Sequence, residues 1–183
     1  MTSSKWLTEI IAGQLESALA PIGFKRQKAT LVSERDEVLL VVALRKNSGT
    51  RQDKLVVTLE VCIYCKELAR HFNVAKILNQ PLKCRWWECH WVKNIGCALG
   101  DERRPKLWTL RTEEESVDAS LEMIRLLKSW GLPLLETLST TERLAAYWRD
   151  GGSATTKWAR ASYTKILDTF LLERLFADRR HEA

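Results

Sequence analysis

The spacing of hydrophobic residues changes from a helical to a strand-like period within the first 45 residues. Apolar side chains recur at helical intervals over residues 7–19, and Pro21 follows them. This pattern predicts an amphipathic helix that ends near Pro21. Residues 30–32 and 38–44 are instead rich in β-branched and aliphatic side chains, and a polar stretch separates them. The two runs therefore predict a β-hairpin.

Residues 54–64 alternate in polarity in the way that a β-strand does. One face of this strand would carry only aliphatic side chains: Leu55, Val57, Leu59, Val61 and Ile63. The other face includes Thr58 and Glu60 and is the more polar. Two further strands are predicted, one over the aromatic-rich residues 84–96 and one over residues 107–111.

The second half of the chain has the signals of helices. Thr112 and Glu115 form a capping-box pattern before an apolar helical stripe, and Gly131 predicts the end of that helix. Ser139 and Glu142 form a similar pattern for a shorter helix that would end at residues 151–152. A last amphipathic helix is predicted over residues 156–180.

Strands in the first half and helices in the second half predict an α+β fold. The mostly antiparallel sheet of the N-terminal half would be packed by the N-terminal helix and by three C-terminal helices. We expect one domain over residues 1–183, with the 156–180 helix docked on it. A chain of 183 residues can bury enough surface to form a core without metals or disulfides.

Charge and cysteine content narrow the class of protein. The formal net charge is +6, and all of it lies in residues 1–100, which carry 15 Lys+Arg and 9 Asp+Glu. An excess of this size is within the ordinary range for solubility, although it also favours an acidic partner. The five cysteines are an odd number, and neither a convincing export signal nor a membrane-spanning run is present. We therefore expect a cytoplasmic protein with reduced thiols and no membrane contact.

Three segments occur in an order that resembles a known bacterial family. They are 19–26, which contains Gly-Phe-Lys-Arg, 89–96, which reads Cys-His-Trp-Val-Lys-Asn-Ile-Gly, and 131–136, which begins Gly-Leu-Pro. Together they resemble a family of domains of unknown function, DUF4304, over about residues 5–150. The resemblance implies a compact single domain of bacterial or phage origin. It implies no activity and no catalytic residue.

The cysteine spacing is the sharpest candidate for metal chemistry. The candidate ligands follow one another at intervals close to those of four-ligand zinc sites: Cys62, Cys65, Cys84, Cys89 and His90. The second cysteine pair is separated by four residues rather than two, and buried cysteines are common in cores that contain no metal. We therefore expect no cofactor, with zinc at these residues as the alternative.

A basic and aromatic stretch is the candidate for partner binding. Its members are Arg45, Lys46, Arg85, Trp86, Trp87, Trp91 and Lys93. Tryptophan and arginine are the residue types that anchor protein interfaces, and together they also stack on and neutralise single-stranded nucleic acid. The competing interpretation is that these tryptophans belong to the core, because large aromatic side chains are mostly buried.

No catalytic signature accompanies these residues. We therefore expect a non-enzymatic domain that binds a macromolecule, with another protein as the expected partner and an immunity or defence-associated role as its setting. The alternative is a nucleic-acid-binding protein or a nuclease that uses the basic sheet half. Asp53 and Glu60 are candidate acids for a nuclease, but the Glu-x-Lys pair that such a site needs is absent from the sequence.

Overall fold

A helix and an antiparallel sheet form from the segments where the hydrophobic period changes. In the computed structural model, the described residues are 4–51, 53–67, 86, 89–100 and 105–149. The helices of this part are α1 (Ser4–Leu19), α2 (Glu113–Leu126), α3 (Leu132–Thr137) and α4 (Thr141–Arg149). The strands are β1 (Lys25–Gln27), β2 (Thr30–Glu34), β3 (Val38–Lys46), β4 (Leu55–Cys65), β5 (Trp91–Asn94) and β6 (Trp108–Leu110).

Strand β4 is the centre of the sheet. Strands β1 to β5 are hydrogen-bonded in chain order, and every pairing is antiparallel. Strand β6 also pairs with β4, at residues 55–57, whereas β5 pairs with residues 60–63. The predicted α+β class, with an N-terminal helix, a mostly antiparallel sheet and following helices in one domain, is confirmed.

The two faces of the sheet differ in what they pack against. On the helix-covered face, the aliphatic side chains of β4 that alternate from Leu55 to Ile63 join one core cluster with residues from all four described helices. On the opposite face, Cys62 and Tyr64 belong to a second cluster together with Val41, Cys89 and the half-buried Trp86. All eleven residues of β4 are buried, so the more polar face is not a solvent-exposed surface.

The predicted strand over residues 84–96 is wrong in extent. Strand β5 has only four residues, and the chain turns into a 3-10 helix at Ile95–Leu99. The side chain of Asn94 caps this helix by accepting a hydrogen bond from the Gly96 amide. That local bond competes with continuation of the strand, as Asn side chains commonly do.

The predicted helix end at Gly131 is also wrong. Helix α2 continues through a π-helical turn, Leu127–Gly131, directly into α3. A Cβ atom on Gly131 would lie 3.1 Å from Val61 and 3.2 Å from Ile95, so glycine permits close packing here rather than a left-handed cap. Pro133 lies in the first turn of α3, directly after the π-helical turn.

Two cap predictions have different outcomes. The Thr112–Glu115 capping box is present at the start of α2. At α4, however, Thr140 rather than Ser139 provides the cap, because its hydroxyl accepts a hydrogen bond from the Arg143 amide.

The predicted 156–180 helix lies outside the described residues. None of the helices in the described part is long and apolar enough to cross a membrane.

Candidate functional site

A charged pair and an aromatic ring meet on the opposite face of the sheet. Arg45 near the end of β3 donates a hydrogen bond from Nη1 to Oε1 of Glu60 on β4, at 2.9 Å. The guanidinium carbon of Arg45 also lies 3.5 Å from the centre of a Trp86 ring. Register explains the ion pair, because Arg45 is opposite Thr58 and therefore diagonal to Glu60 on the same face. We call Arg45, Glu60 and Trp86 the Arg45 cluster.

Asn94 holds the base of this cluster. Its amide nitrogen donates to Thr58 Oγ1 at 2.6 Å and to Glu60 Oε1 at 3.4 Å. Its amide oxygen accepts from the backbone amides of Gly96 and Lys106, at 2.8 and 2.9 Å. One buried side chain therefore connects β4, the 3-10 helix and the segment that leads into β6. Such a network is rigid because each member fixes its neighbours.

The electrostatics of Glu60 follow from its burial. The residue is only 3% exposed, and desolvation raises the pKa of its carboxyl, while Arg45 and Asn94 act in the lowering direction. Its Oε2 atom is buried and accepts no hydrogen bond from the described residues. The carboxyl of Glu60 depends on Arg45 to remain ionised, because a buried carboxylate without a partner has a large free-energy cost.

His90 is buried beside Tyr64, on the face of the sheet opposite the helices, and its side chain forms a hydrogen bond with the backbone. Its Nδ1 accepts a hydrogen bond from the Cys65 backbone amide at 2.9 Å, and its ring centre is 5.0 Å from that of Tyr64. Burial lowers the pKa of His90 to about 4. The neutral imidazole therefore adds one hydrogen bond between the end of β4 and the residue before β5, next to the Ile63–Trp91 pair.

The predicted partner-binding residues that the structure describes do not form one surface. Lys46 is exposed at the end of β3. Trp91 is fully buried in the core of the helix-covered face, and its ring is nearly perpendicular to that of Tyr147. Lys93 is on that same side of the sheet, since it pairs with Val61. Arg45 and Trp86 meet in the Arg45 cluster, while Arg85 and Trp87 lie outside the described residues.

The candidate zinc ligands are divided by the sheet. Cys65 packs in the core cluster of the helix-covered face, and its sulfur lies 3.6 Å from Thr141 Oγ1. Cys62 belongs to the cluster on the opposite face, together with Cys89. One tetrahedral metal ion cannot contact both Cys62 and Cys65, because side chains three apart on a strand point in opposite directions. Among the described residues, no group of three potential ligands forms a metal site, and Cys84 lies outside them.

The candidate nuclease acids are also far apart. Asp53 is exposed before β4, and Glu60 is buried five residues beyond the first residue of that strand. Those five residues of extended strand span about 16 Å. Asp53 and Glu60 are therefore too distant to hold one metal ion.

The segments that carry the family resemblance have structural roles. Gly23 has a φ of 89° after the 3-10 turn that ends α1, a conformation that glycine adopts readily. Arg26 pairs with Glu9 and Glu16 of α1 and so connects this helix to β1. In the second segment, a Cβ atom on Gly96 would lie 2.7 Å from the Lys106 backbone nitrogen. These residues explain the fold rather than a reaction.

Sequence reasoning did not single out Asn94. Glu60 was recognisable as an acidic residue within an apolar strand, but its partner Arg45 becomes evident only once the β3–β4 register is known. For Asn94 the available signal was a capping residue directly before Ile95 and Gly96. That signal competes with the strand pattern of the surrounding aromatic residues.

Comparisons with known proteins place the chain at the level of family. Neither the search of curated proteins nor the search of solved structures found a match. A family model described as "Domain of unknown function (DUF4304)" matches residues 15–137. This match spans α1 from Leu15 to the end of α3 and includes the whole sheet. Since it covers more than half of the sequence, the chain belongs to the DUF4304 family.

Proposed function

We propose that this chain is a non-enzymatic domain that binds another protein, with the Arg45 cluster as part of the contact surface. The observation that carries the proposal is the stacking of Arg45 on Trp86 at 3.5 Å. Arg45 keeps 33% of its side chain exposed, and Trp86 is half-buried. Tryptophan and arginine that are partly ordered before binding are favourable anchors, because less conformational entropy is lost on association.

The placement of the titratable groups supports a binding role over catalysis. Glu60 and His90, whose pKa values are displaced by burial, are both held within the sheet. A shallow groove lies elsewhere, and its lining includes Leu138, Arg143 and Tyr147 but neither of these two groups. An acid or base for catalysis has to reach the proton that it transfers, and these two side chains are covered.

An immunity or defence-associated role is the biological setting that we propose for this binding domain. Nucleic acid is the second candidate partner, because all of the net positive charge lies in residues 1–100. The extended strand between Leu55 and Glu60, about 16 Å long, separates Asp53 from Glu60 and argues against nuclease chemistry at those two acids.

The test is affinity capture from the native host with wild type, Trp86→Ala and Trp6→Ala. Trp6 is a matched control because it is a tryptophan with 45% exposure on α1. We expect a defined protein to be captured by wild type and Trp6→Ala and lost with Trp86→Ala. Capture that is the same for all three variants would contradict the proposal. A low-salt gel shift with mixed-sequence single-stranded DNA, if it depends on Trp86, would establish nucleic acid as the partner instead.

A further inference from the structure

The Arg45 guanidinium has one donor edge that no described residue occupies. Nη1 is bound to Glu60 at 2.9 Å, and the flat face lies against Trp86. None of the described residues accepts a hydrogen bond from Nε or Nη2 of Arg45. These two nitrogens form the side-on fork of the guanidinium, whose parallel N–H groups match the two oxygens of a carboxylate.

The charge around this fork distinguishes a carboxylate from a polyphosphate chain. Glu60 forms an ion pair with Arg45 and balances much of its charge. Nucleic acid binding draws its affinity from several cations that neutralise successive phosphates. Lys93, which sequence alone grouped with Arg45, lies on the helix-covered side of the sheet. Among the residues that the structure describes, one oriented fork with a balanced charge therefore suits one carboxylate better than a row of phosphates.

The carboxylate that supports the fork is itself held by a chain of hydrogen bonds. Glu60 is held by Asn94, and Asn94 is held in turn by two backbone amides. Asn94 is therefore a positioning residue for Arg45 acting through Glu60. Preorganisation of this kind reduces the entropy that is lost when a ligand is bound.

We propose that the side-on fork of Arg45, stacked on Trp86 and supported by Glu60, binds one Asp or Glu carboxylate of an acidic segment of the protein partner. This inference rests on the proposed function and names the chemistry of its contact. The fork is the recognising element, so the geometry of the guanidinium matters in addition to its charge.

The test uses an acetylated hexaglutamate peptide as the probe and its hexaglutamine counterpart as the neutral control. NMR would follow the Arg45 Nε–H resonance, assigned by its loss in Arg45→Lys. We expect hexaglutamate to shift this resonance in a saturable way and hexaglutamine to leave it unchanged. Arg45→Lys retains the charge but lacks the fork, and we expect it to weaken hexaglutamate binding by about tenfold, the size of one charge-assisted hydrogen bond.

Lys93→Gln is the matched control on the other side of the sheet, and it should change the affinity by less than about twofold. Equal affinity of wild type and Arg45→Lys would overturn the proposal, because charge alone would then explain binding. A larger Nε–H shift with single-stranded DNA than with hexaglutamate would also overturn it.

Affinity capture with Arg45→Lys separates this inference from the proposed function. A protein that is lost with Trp86→Ala but retained by Arg45→Lys would leave the binding function in place and remove the carboxylate contact. A protein retained by both variants would overturn both proposals. Amide spectra of each variant would verify that the fold is intact.

Discussion

The two faces of β4 bury alternate residues of one strand in different ways. The helix-covered face presents five aliphatic side chains from Leu55 to Ile63 to a large apolar core. The residues between them point to the opposite face, where Thr58 and Glu60 are buried beside Cys62. Apolar burial needs no particular partner, whereas each buried polar group needs a specific one. The first face therefore contributes most to stability, whereas the second holds polar side chains in fixed orientations.

This difference also explains why the Arg45 cluster is a better candidate for function than for stability. A buried ion pair gains little over a well-packed apolar pair of similar volume, because desolvation offsets the attraction. Removal of only one partner is nevertheless costly, since the remaining charge has no counter-ion. The cluster is thus a poor means of stabilising the sheet and a good means of holding Arg45 in one orientation.

The largest expected effect comes from tryptophans of the two faces. Trp91→Ala should lower the free energy of unfolding by about 3–5 kcal/mol, because the ring is fully buried in the core of the helix-covered face. Trp86→Ala should cost about 1–2 kcal/mol, because this residue is half-buried and contacts Arg45. Urea denaturation followed by circular dichroism measures both. Similar losses for the two variants would remove the distinction between the faces.

The next effect is a pH dependence that arises from His90. Its folded-state pKa of about 4 is below the unfolded value of 6.5, so between these values the unfolded state binds more protons. His90 therefore reduces stability as pH falls from 6.5 to 4, by about 3 kcal/mol in total.

His90→Asn is the variant that tests this dependence. The Asn side-chain oxygen can replace Nδ1 as acceptor for the Cys65 amide, but it does not titrate. We expect wild type to lose stability relative to His90→Asn as pH falls from 6.5 to 4. A difference that is constant between pH 7 and pH 4 would show that His90 is not buried in its neutral form.

A third effect concerns the ion pair of the opposite face. Arg45→Ala should cost about 1–3 kcal/mol at pH 7, because it leaves the Glu60 carboxylate buried without its main partner. Desolvation already raises the pKa of Glu60, and loss of Arg45 removes a lowering influence. Protonation would then relieve the penalty, so the cost should be smaller at pH 5 than at pH 7.

The double variant Arg45→Ala/Glu60→Gln is the control for that experiment. Its stability relative to Glu60→Gln alone should not share the same pH dependence, because the titrating group is gone. A cost of Arg45→Ala that is independent of both pH and Glu60 would indicate lost packing on Trp86 rather than a broken charge pair.

Sequence patterns predicted the elements whose signals are local. The hairpin of β2 and β3, the alternation of β4 and the Thr112 capping box are confirmed because each depends on neighbouring residues. The prediction of a helix end at Gly131 is wrong because glycine occurs both at helix ends and at close contacts. Only its approach to Val61 and Ile95 distinguishes the two roles.

The candidate site was predictable in part. Arg45 and Trp86 were recognised as residue types suited to binding, but Trp91 and Lys93 were grouped with them through proximity in sequence. The short β5 strand places both on the helix-covered side. Cys62 and Cys65 likewise have the spacing of metal ligands, yet strand alternation separates them.

The sequence by itself determined the α+β class, the direction in which the aliphatic residues of β4 point and the location of the charge excess. These are properties of period and composition. The tertiary structure decided that the more polar face is also buried, that Asn94 ends β5 and that Arg45 lies against Glu60 and Trp86. Such contacts join segments 15 to 41 residues apart. Strand pairing places Arg45 diagonal to Glu60 and Asn94 opposite Glu60, whereas Trp86 reaches Arg45 from outside the strands. No pattern within one segment specifies which distant segment it will contact.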